Sequence, residues 1–381
     1  MMAHSHEASE QSSVAPFRLE RLGVLMETEP GNPLEVEGVL NPGGIRGPDG
    51  QFYLFPRLVG PGNYSRIGIA QVLFNEARDP VGVKRLGVVL EPEADYELRP
   101  GGGGCEDPRV SFVEPLHRYV MTYTALGPQG PRIALANSED LFHWQRIGLA
   151  SFQPHGTLDF NGVDNKDALI FPTAIPDPSG KPAMAMIHRP LFPGTHPRQT
   201  AKAPPRRPVD LHRESIWISY CPSVIESGEP HCLCHFSSHH RLASPVAPWE
   251  RLKIGGGTPP VLTPLGWLLF YHGVHEITDA HAAARRLCYS AGALVLSSAH
   301  PSSVVYRSPE PVLGPELLAE REGVVPEVVF PTAIDKRTDA DSPNRFDVYY
   351  GMADSRIGVA SFQLPGHLPP GAHADQPEAK V

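Results

Sequence analysis

Turn-forming residues dominate this sequence. Of its 381 residues, 43 are proline and 36 are glycine, about a fifth of the chain against the roughly 12% expected from average usage. Proline breaks the interior of a helix and glycine weakens it, so this density leaves little room for long helices. It favours an all-β fold of many short strands joined by turns.

One strand pattern recurs five times along the chain. In each copy, a turn of Gly, Pro, Asp or His leads into an aromatic or β-branched strand that ends in a polar or glycine corner. The copies occupy residues 49–60, 116–127, 179–190, 265–274 and 345–354. Three copies are followed by a second short strand with a closely similar sequence, RIGIA at 66–70, RIALA at 132–136 and RIGVA at 356–360.

This repetition predicts a five-bladed β-propeller with its active site at the central channel. The copies are far enough apart for a four-stranded blade with loops, and radial packing of blades hides the sheet edges that isolated sheets expose. The alternative is a β-sandwich or an α/β fold with ordinary strand spacing. The propeller is favoured because polar residues close the copies at similar strand ends, which would converge on a channel. These residues are Arg57, His188, Arg189, His272 and Asp354.

Composition bounds the domain organisation and the class of partner. We expect one propeller domain over 17–364, with disordered tails at 1–16 and 365–381. The formal charge of −9 and the pI near 6.0 argue against general nucleic-acid binding, which needs a basic face. No apolar run of 18 residues and no signal-peptide pattern occur, so no membrane contact is expected and the location is predicted to be cytoplasmic. The five irregularly spaced cysteines do not suggest a disulfide framework.

Two adjacent carboxylates follow a run of four glycines in GGGGCEDPR, residues 101–109. Consecutive glycines allow positive φ or a close approach of the backbone to a ligand. Glu106 and Asp107 then stand where a carboxylate can act as a general acid. The alternative is a turn with an aspartate cap, or a salt bridge between Asp107 and Arg109.

A second group of polar residues surrounds Lys166, which lies in NGVDNKDALIFP at 161–172. A lysine in such a position is usually a solvated surface charge. In the repeat scheme, however, it falls near His188, Arg189, His272 and Tyr289. Cations and hydroxyls gathered at one mouth would form an oxyanion site, because Arg and Lys supply charge-assisted hydrogen bonds.

Two further segments have no firm assignment. The Cys/His-rich segment 231–240 lacks the paired spacing of structural zinc sites, so no metal is predicted there and its role stays open. The basic segment 198–213 is most simply a solvated proline-rich loop. It also fits the acceptor side of a site, or a subunit contact.

The chain resembles glycoside hydrolase family 130, the inverting β-mannoside phosphorylases, whose members are five-bladed propellers. Nine segments match in the family's order from about Asn41 to Ala360, which is far more specific than any single motif. The matching segments lie at 41–45, 64–70, 104–109, 165–172, 188–190, 256–274, 289–296, 328–333 and 349–360. The chain departs from the family pattern at 192–213 and 221–249, which leaves the leaving-group sugar open.

The resemblance implies a role for each matched residue. Asp107 is similar to the family's catalytic acid, which protonates the leaving oxygen through a hydroxyl of the bound mannose. Lys166, Arg189, His272 and Tyr289 fall on positions similar to the phosphate-binding residues. Substrate-binding positions are implied for Asn41, Arg57, Arg66, Glu106, His188 and Asp354, with only a supporting hydrogen bond assigned to Glu106.

These roles agree with the chemistry of phosphorolysis. An inverting hydrolase needs a second carboxylate to activate water, whereas phosphate is already a nucleophile and needs cations that hold it in line. The implied activity is attack of inorganic phosphate on a β-mannoside (a mannooligosaccharide, mannosyl-glucose or mannosyl-N-acetylglucosamine), giving α-mannose 1-phosphate without a further cofactor. A hydrolytic β-mannosidase or a non-catalytic sugar-binding propeller is the alternative. The resemblance also suggests a homo-oligomer.

Overall fold

The computed structural model describes residues 17–156, 158–192, 213–277, 286–340, 342 and 344–368. These residues form twenty-three strands, with very little helix. In chain order the strands are β1 (Glu20–Met26), β2 (Gly38–Arg46), β3 (Phe52–Gly60), β4 (Tyr64–Phe74), β5 (Pro80–Leu90), β6 (Gly103–Val113), β7 (Arg118–Gly127), β8 (Gly130–Ser138), β9 (Gln145–Leu149), β10 (Ser151–Phe152), β11 (Asp164–Ile170), β12 (Ile175–Pro176), β13 (Pro182–Leu191), β14 (Ile216–Cys221), β15 (His235–Ala243), β16 (Lys253–Gly256), β17 (Val261–Thr263), β18 (Gly266–Ile277), β19 (Arg286–Leu296), β20 (Val304–Arg307), β21 (Val329–Lys336), β22 (Arg345–Met352) and β23 (Arg356–Gln363).

The strands form the five blades of a β-propeller, as the repeats predict. Blade I is β2–β3–β4–β5, blade II is β6–β7–β8–β9, blade III is β11–β13–β14–β15, blade IV is β16–β18–β19–β20 and blade V is β21–β22–β23–β1. The short strands β10, β12 and β17 pair with β15, β13 and β18. The five repeat copies coincide with β3, β7, β13, β18 and β22, which are the second strands of the five blades.

The ring is closed by the N-terminal strand. β1 pairs antiparallel with β23, so the start of the described chain supplies the outermost strand of blade V, with Arg21 opposite Ala360 and Val24 opposite Gly358. The two ends of the propeller are thereby held in one sheet, which leaves no blade with a missing outer strand.

The hydrophobic core lies between neighbouring blades rather than within one sheet. Each of the five blade interfaces holds its own cluster of buried side chains. The clusters include Phe55 with Met121 between blades I and II, Val120 with Met186 between II and III, Tyr220 with Leu269 between III and IV, Phe270 with Phe346 between IV and V, and Phe52 with Tyr349 between V and I. Because a cluster joins blade V to blade I, packing also closes the ring.

The glycine run ahead of Asp107 serves the join between blades I and II. Gly103 and Gly104 have φ of 141° and 108° and pair in parallel with Tyr64 and Ser65 of β4. A Cβ at Gly104 would overlap the carbonyl oxygen of Ser65. The glycines therefore adopt the positive φ that the sequence allows, and their close approach is to the backbone of the neighbouring blade, where the sequence suggested a ligand.

Helices are short throughout the described residues. The two α-helices are α1 (Ser223–Ser227) and α2 (Leu318–Arg321), with 3₁₀ turns at Glu114–Leu116, Pro230–Cys234 and Pro248–Glu250. α2 ends at Arg321, since Glu322 is already extended. None of the helices described is long and apolar enough to span a membrane. The tail predicted at 1–16, and all of the tail at 365–381 beyond residue 368, lie outside the described residues.

Candidate active site

The inner strands of blades I, II and III share an unusual backbone feature. Asn41, Asp107 and Asp167 each adopt positive φ, at 43°, 47° and 57°. At each of them the pairing with the second strand of the blade slips, which marks a β-bulge. Asn and Asp tolerate the left-handed region better than most residues, and bulges re-aim side chains at functional sites. The three bulges supply the central polar groups of one candidate site.

Asp107 lies at the join of blades I and II. Its Oδ1 accepts a hydrogen bond of 3.0 Å from Asn41 Nδ2 and one of 3.2 Å from Arg57 Nη1. The same guanidinium donates to Glu106 Oε1 at 2.7 Å and, through Nε, to Ser65 Oγ at 2.9 Å. Arg57 is thus fixed by three partners and in turn orients the carboxylate of Asp107.

Asp107 and Asp354, two carboxyl groups of this half of the site, differ in pKa. Burial alone would raise the pKa of Asp107, but Arg57, Arg109, Lys166 and the Asn41 amide together hold it below its ordinary value. For Asp354, burial and then the nearby charge of Asp107 raise the pKa to about 6. The site therefore favours an ionised Asp107 beside an Asp354 that retains its proton more readily.

A second cluster forms where blades III and IV meet. Arg189 Nε donates to Asp167 Oδ2 at 2.6 Å, and its Nη1 pairs with Glu214. His272 Nε2 lies 3.7 Å from the same Asp167 oxygen. Burial alone would raise the pKa of Asp167, but its cationic neighbours, first of all Arg189, hold it below the ordinary value.

Aromatic rings line the other side of His272. The ring of Phe330 lies 4.4 Å from the imidazole, centroid to centroid, and that of Tyr289 lies 6.2 Å away. Burial lowers the pKa of His272 to about 3 in spite of Asp167, so the imidazole is neutral at pH 7. Its Nδ1 is buried and has no protein partner among the described residues. Lys253 Nζ lies 5.3 Å from the Tyr289 ring.

Lys166 and Arg109 connect the two clusters. The charge of Lys166 lowers the pKa of Asp107, Asp167 and Asp354 alike, so this lysine acts electrostatically on both clusters. Arg109 spans from blade II to blade IV, with Nη1 donating to the Asp107 carbonyl and Nε to the Gly257 carbonyl, both at 2.6 Å. The alternative of a salt bridge from Arg109 to the Asp107 carboxylate is not what forms, since Arg57 is the partner of that carboxylate.

Two predicted site residues lie apart from these clusters. Arg66 pairs with Glu91, with Nε 2.9 Å from Oε2, and within the described ranges no contact joins it to Asp107. His188 is fully buried and hydrogen-bonds Ser219 Oγ at 2.7 Å, while its ring stacks on Phe152. Successive residues of a strand point to opposite faces, so Arg189 of β13 faces the second cluster and His188 faces the interior between blades.

Asp167, Arg109 and Gly255 were not singled out from the sequence. A Cβ at Gly255 would overlap both Asp167 Oδ2 and the His272 ring, so only glycine leaves room for that pair. One available signal is the recurrence of an Asn or Asp before a proline or alanine on the inner strands, as at Asn41 and Asp107, which extends to Asp167.

The Cys/His-rich segment has structural roles on blade III. His239 Nδ1 lies 2.7 Å from Ser219 Oγ, and Cys234 Sγ contacts the His231 carbonyl at 3.0 Å. Among the residues that the structure describes, no three His, Cys, Asp or Glu side chains are grouped to hold a metal ion. Of the basic segment 198–213, only Arg213 is within the described residues.

Comparisons with known proteins give the chain its family. A family model described as beta-1,4-mannooligosaccharide phosphorylase, glycoside hydrolase family 130, matches residues 19–366. The 1,2-beta-oligomannan phosphorylase of Thermoanaerobacter sp. is 31% identical over 83% of this chain and 87% of its own length. The beta-1,4-mannooligosaccharide phosphorylase of Ruminococcus albus is 31% identical over 67% and 61%.

The fold is shared with solved structures. The beta-1,2-mannobiose phosphorylase of Listeria innocua, in complex with beta-1,2-mannobiose, aligns with a TM-score of 0.64 at 22% identity, over 91% of this chain and 97% of that one. At 22% identity the likeness shows a shared fold, whereas the family model and the sequence relatives show common descent. The chain belongs to glycoside hydrolase family 130.

Proposed function

We propose that this protein is an inverting β-mannoside phosphorylase, which takes a β-mannoside and inorganic phosphate to α-mannose 1-phosphate and a shortened sugar. The observation that carries the proposal is the cluster of Arg189, His272 and Tyr289 around Asp167, together with Lys166, whose charge acts on both Asp167 and Asp107. The names of the relatives support it, since each is a phosphorylase of β-linked mannosides.

The first cluster would bind the mannosyl unit and protonate the leaving group. Asp107 is proposed as the acid, acting through a hydroxyl of the bound mannose. Asn41, Arg57 and Asp354 would contact the sugar, and Glu106 would fix Arg57. Arg66 and His188 lie away from this cluster, so we leave them out of the direct sugar contacts.

The second cluster would bind phosphate. Arg189 is aimed by Asp167 and Glu214, and a guanidinium so fixed holds a phosphate oxygen at little entropic cost. A neutral His272 and the Tyr289 hydroxyl add hydrogen bonds without more positive charge, so the phosphate is held while its oxygen stays nucleophilic. Lys166 would bridge phosphate and the acid.

The reaction then balances without a separate base. A phosphate oxygen attacks the anomeric carbon from the face opposite the glycosidic oxygen, forming one C–O bond as the glycosidic C–O bond breaks. Asp107 gives its proton to the hydroxyl of the bound mannose, and that hydroxyl gives its own proton to the departing sugar oxygen. Because phosphate arrives as an anion, no carboxylate has to activate it.

Phosphate binding also resolves the low proton affinity of Asp107. The cations around Asp107 favour its carboxylate form, whereas a general acid must begin protonated. A phosphate anion beside Lys166 would offset that lysine's charge and raise the pKa of Asp107. Phosphate would then prepare the acid as well as supply the nucleophile.

The test is the phosphate dependence of bond cleavage. The protein is incubated with β-1,2- and β-1,4-mannobiose, with and without inorganic phosphate, and α-mannose 1-phosphate is followed. The proposal expects that product to form in step with mannose release. Equal cleavage without phosphate would instead identify a hydrolase, and no cleavage of any mannoside would favour a binding protein.

The proposal also covers location and assembly. All five cysteines are unpaired, which is ordinary in a reducing compartment, and supports a cytoplasmic enzyme. A homo-oligomer stays a prediction from the family resemblance.

A further inference from the structure

A cleft of about 180 Å³ opens between blades II and III, next to the proposed phosphate cluster. We call it the II–III cleft. Its polar lining consists of Gln129, Arg132, Asn161 and Asn165, and the buried rings of Phe152 and Phe160 lie behind these side chains. Polar side chains in a cleft suit a sugar, because its hydroxyls need hydrogen-bond partners.

Asn165 ties the cleft to a buried chain of hydrogen bonds, which we call the relay. From the far end, His239 Nε2 lies 2.8 Å from the Gln153 carbonyl oxygen, and His239 Nδ1 lies 2.7 Å from Ser219 Oγ. Ser219 Oγ also lies 2.7 Å from His188 Nε2, and His188 Nδ1 lies 3.1 Å from the side-chain amide of Asn165.

The donors and acceptors of the relay all follow one direction when the imidazoles of His188 and His239 are neutral. Burial lowers the pKa of His239 to about 4 and that of His188 well below its ordinary value, so each ring carries one N–H. The Gln153 carbonyl only accepts, so the His239 hydrogen is on Nε2 and its Nδ1 accepts from the Ser219 hydroxyl. With its single hydrogen used, Ser219 Oγ accepts from His188 Nε2.

This direction settles how the amide of Asn165 faces. His188 Nδ1 is left without a hydrogen and needs a donor. Placed with Oδ1 toward His188, the amide would set two acceptors face to face. The two ends of a carboxamide have the same shape, so the hydrogen-bond network decides between them. Asn165 therefore donates from Nδ2 to His188 and turns Oδ1 to the opposite side.

The opposite end of that amide is unsatisfied. Asn165 is only 2% exposed, and the amide atom facing away from His188 is buried without a partner among the described residues. A buried carbonyl oxygen without a donor is costly, and such groups are normally paired with protein, water or ligand. Since Asn165 lines the II–III cleft, a hydroxyl in the cleft would satisfy it.

We propose that the II–III cleft binds a sugar unit on the leaving-group side of the substrate, with Asn165 Oδ1 accepting a hydrogen bond from one of its hydroxyls. Asn165 directly precedes Lys166, so consecutive residues of β11 serve the cleft and the phosphate cluster on opposite faces of the strand. The assignment to the leaving-group side rests on the proposed function.

The kinetic test runs the reaction in the synthetic direction, from α-mannose 1-phosphate and mannose as acceptor. Asn165→Ala is expected to raise the KM for mannose roughly 5- to 10-fold, the worth of one hydrogen bond, and to change the KM for α-mannose 1-phosphate less than about 2-fold. Gln129→Ala, at an exposed position that leaves the relay intact, is expected to raise the acceptor KM roughly 2- to 5-fold. Gln145→Ala, an exposed glutamine of the same blade, is the matched control and should change neither.

A reversed split, with a raised KM for α-mannose 1-phosphate alone, would make Asn165 a support of Lys166 and overturn the proposal. Calorimetric titration of mannobiose separates this proposal from the proposed function. If the wild type binds mannobiose and both variants weaken binding, the cleft is supported even when no phosphorolysis occurs. If both variants bind as tightly as the wild type, the cleft assignment is wrong, whatever the enzyme's activity.

Discussion

Arg189 Nε donates a 2.6 Å hydrogen bond to Asp167 Oδ2, and both side chains are almost wholly buried. Two charges removed from water in this way stabilise the fold only when their partners are well placed. Asp167 satisfies Arg189 on one side and Glu214 satisfies it on the other, so the guanidinium is held rigid at the wall of the proposed phosphate pocket.

Asp167→Asn tests whether this pairing positions Arg189. The amide keeps a hydrogen-bond acceptor but loses the negative charge that pairs with Arg189. We expect the free energy of unfolding to fall by about 1–3 kcal/mol and the KM for phosphate to rise roughly 5- to 10-fold, because a misplaced guanidinium loses the preorganised geometry. Urea denaturation and phosphate titration measure the two effects.

Glu226→Gln is the matched control, because it neutralises an exposed carboxylate of the same blade, and it should change neither quantity. Removing the negative charge of Asp167 would by itself favour phosphate binding, because the carboxylate repels the phosphate anion. A lower phosphate KM in Asp167→Asn would therefore show that bulk electrostatics, rather than positioning, governs this residue.

Gly255→Ala tests the space that the same pair requires. The added methyl would meet Asp167 Oδ2 and the His272 ring at once, and overpacking of this kind costs about 1–3 kcal/mol. We expect phosphorolysis to fall at least tenfold, with most of the loss in affinity for phosphate. Gly82→Ala in β5, where nothing lies within 4 Å of the new Cβ, should retain full activity. Equal activity of Gly255→Ala and Gly82→Ala would mean that the close contact between Asp167 and His272 does not contribute to activity.

The repeats predicted the propeller because each second strand combines aromatic and β-branched residues with a turn, and this is a local property of the sequence. The register of side chains within a strand was also available. The alternation of β13 places the side chains of His188 and Arg189 on opposite faces of the strand.

The role of Asp167 could not be predicted from the sequence, for a different reason. Its charge is compensated by Arg189, 22 residues away, and its carboxylate approaches His272 on the next blade. Neither contact leaves a local trace in the sequence. The relay through Ser219 and His239 could not be predicted from the sequence for the same reason, because it joins strands that only the fold brings together.

Asp107→Asn tests the proposed acid. The amide is nearly the same shape and keeps a place beside Asn41 and Arg57, so the fold should persist. We expect turnover to fall by roughly 10²- to 10⁴-fold, the usual contribution of general acid catalysis. Glu106→Gln, which removes the neighbouring carboxylate but leaves Asp107 in place, should lose far less. Comparable losses of turnover in the two variants would mean either that another group is the acid or that both substitutions act by displacing Arg57. The binding affinity of each variant for mannobiose would distinguish these two explanations.

Asp354→Asn is expected to stabilise the folded protein at alkaline pH. Burial raises the pKa of Asp354 to about 6, above the value of about 3.9 in an unfolded chain. The folded state therefore binds this proton more tightly, and the resulting stability is complete below about pH 4 and lost as the pH rises through about 6. At pH 8 the ionised carboxylate costs the fold about 2–3 kcal/mol, which the amide avoids. Urea denaturation should show that gain at pH 8 and little gain at pH 4.

The opposite sign is expected at Asp177, where a hydrogen bond from Ser179 lowers the pKa of the carboxyl. Its stabilising contribution is present above the unfolded pKa and lost as the pH falls, so Asp177→Asn should destabilise the protein more at pH 8 than at pH 4. If Asp354→Asn gave the same gain at both pH values, its effect would come from packing and not from the charge. The carboxyl beside Asp107 would then be retained for its contact with the sugar, at no electrostatic cost to the fold.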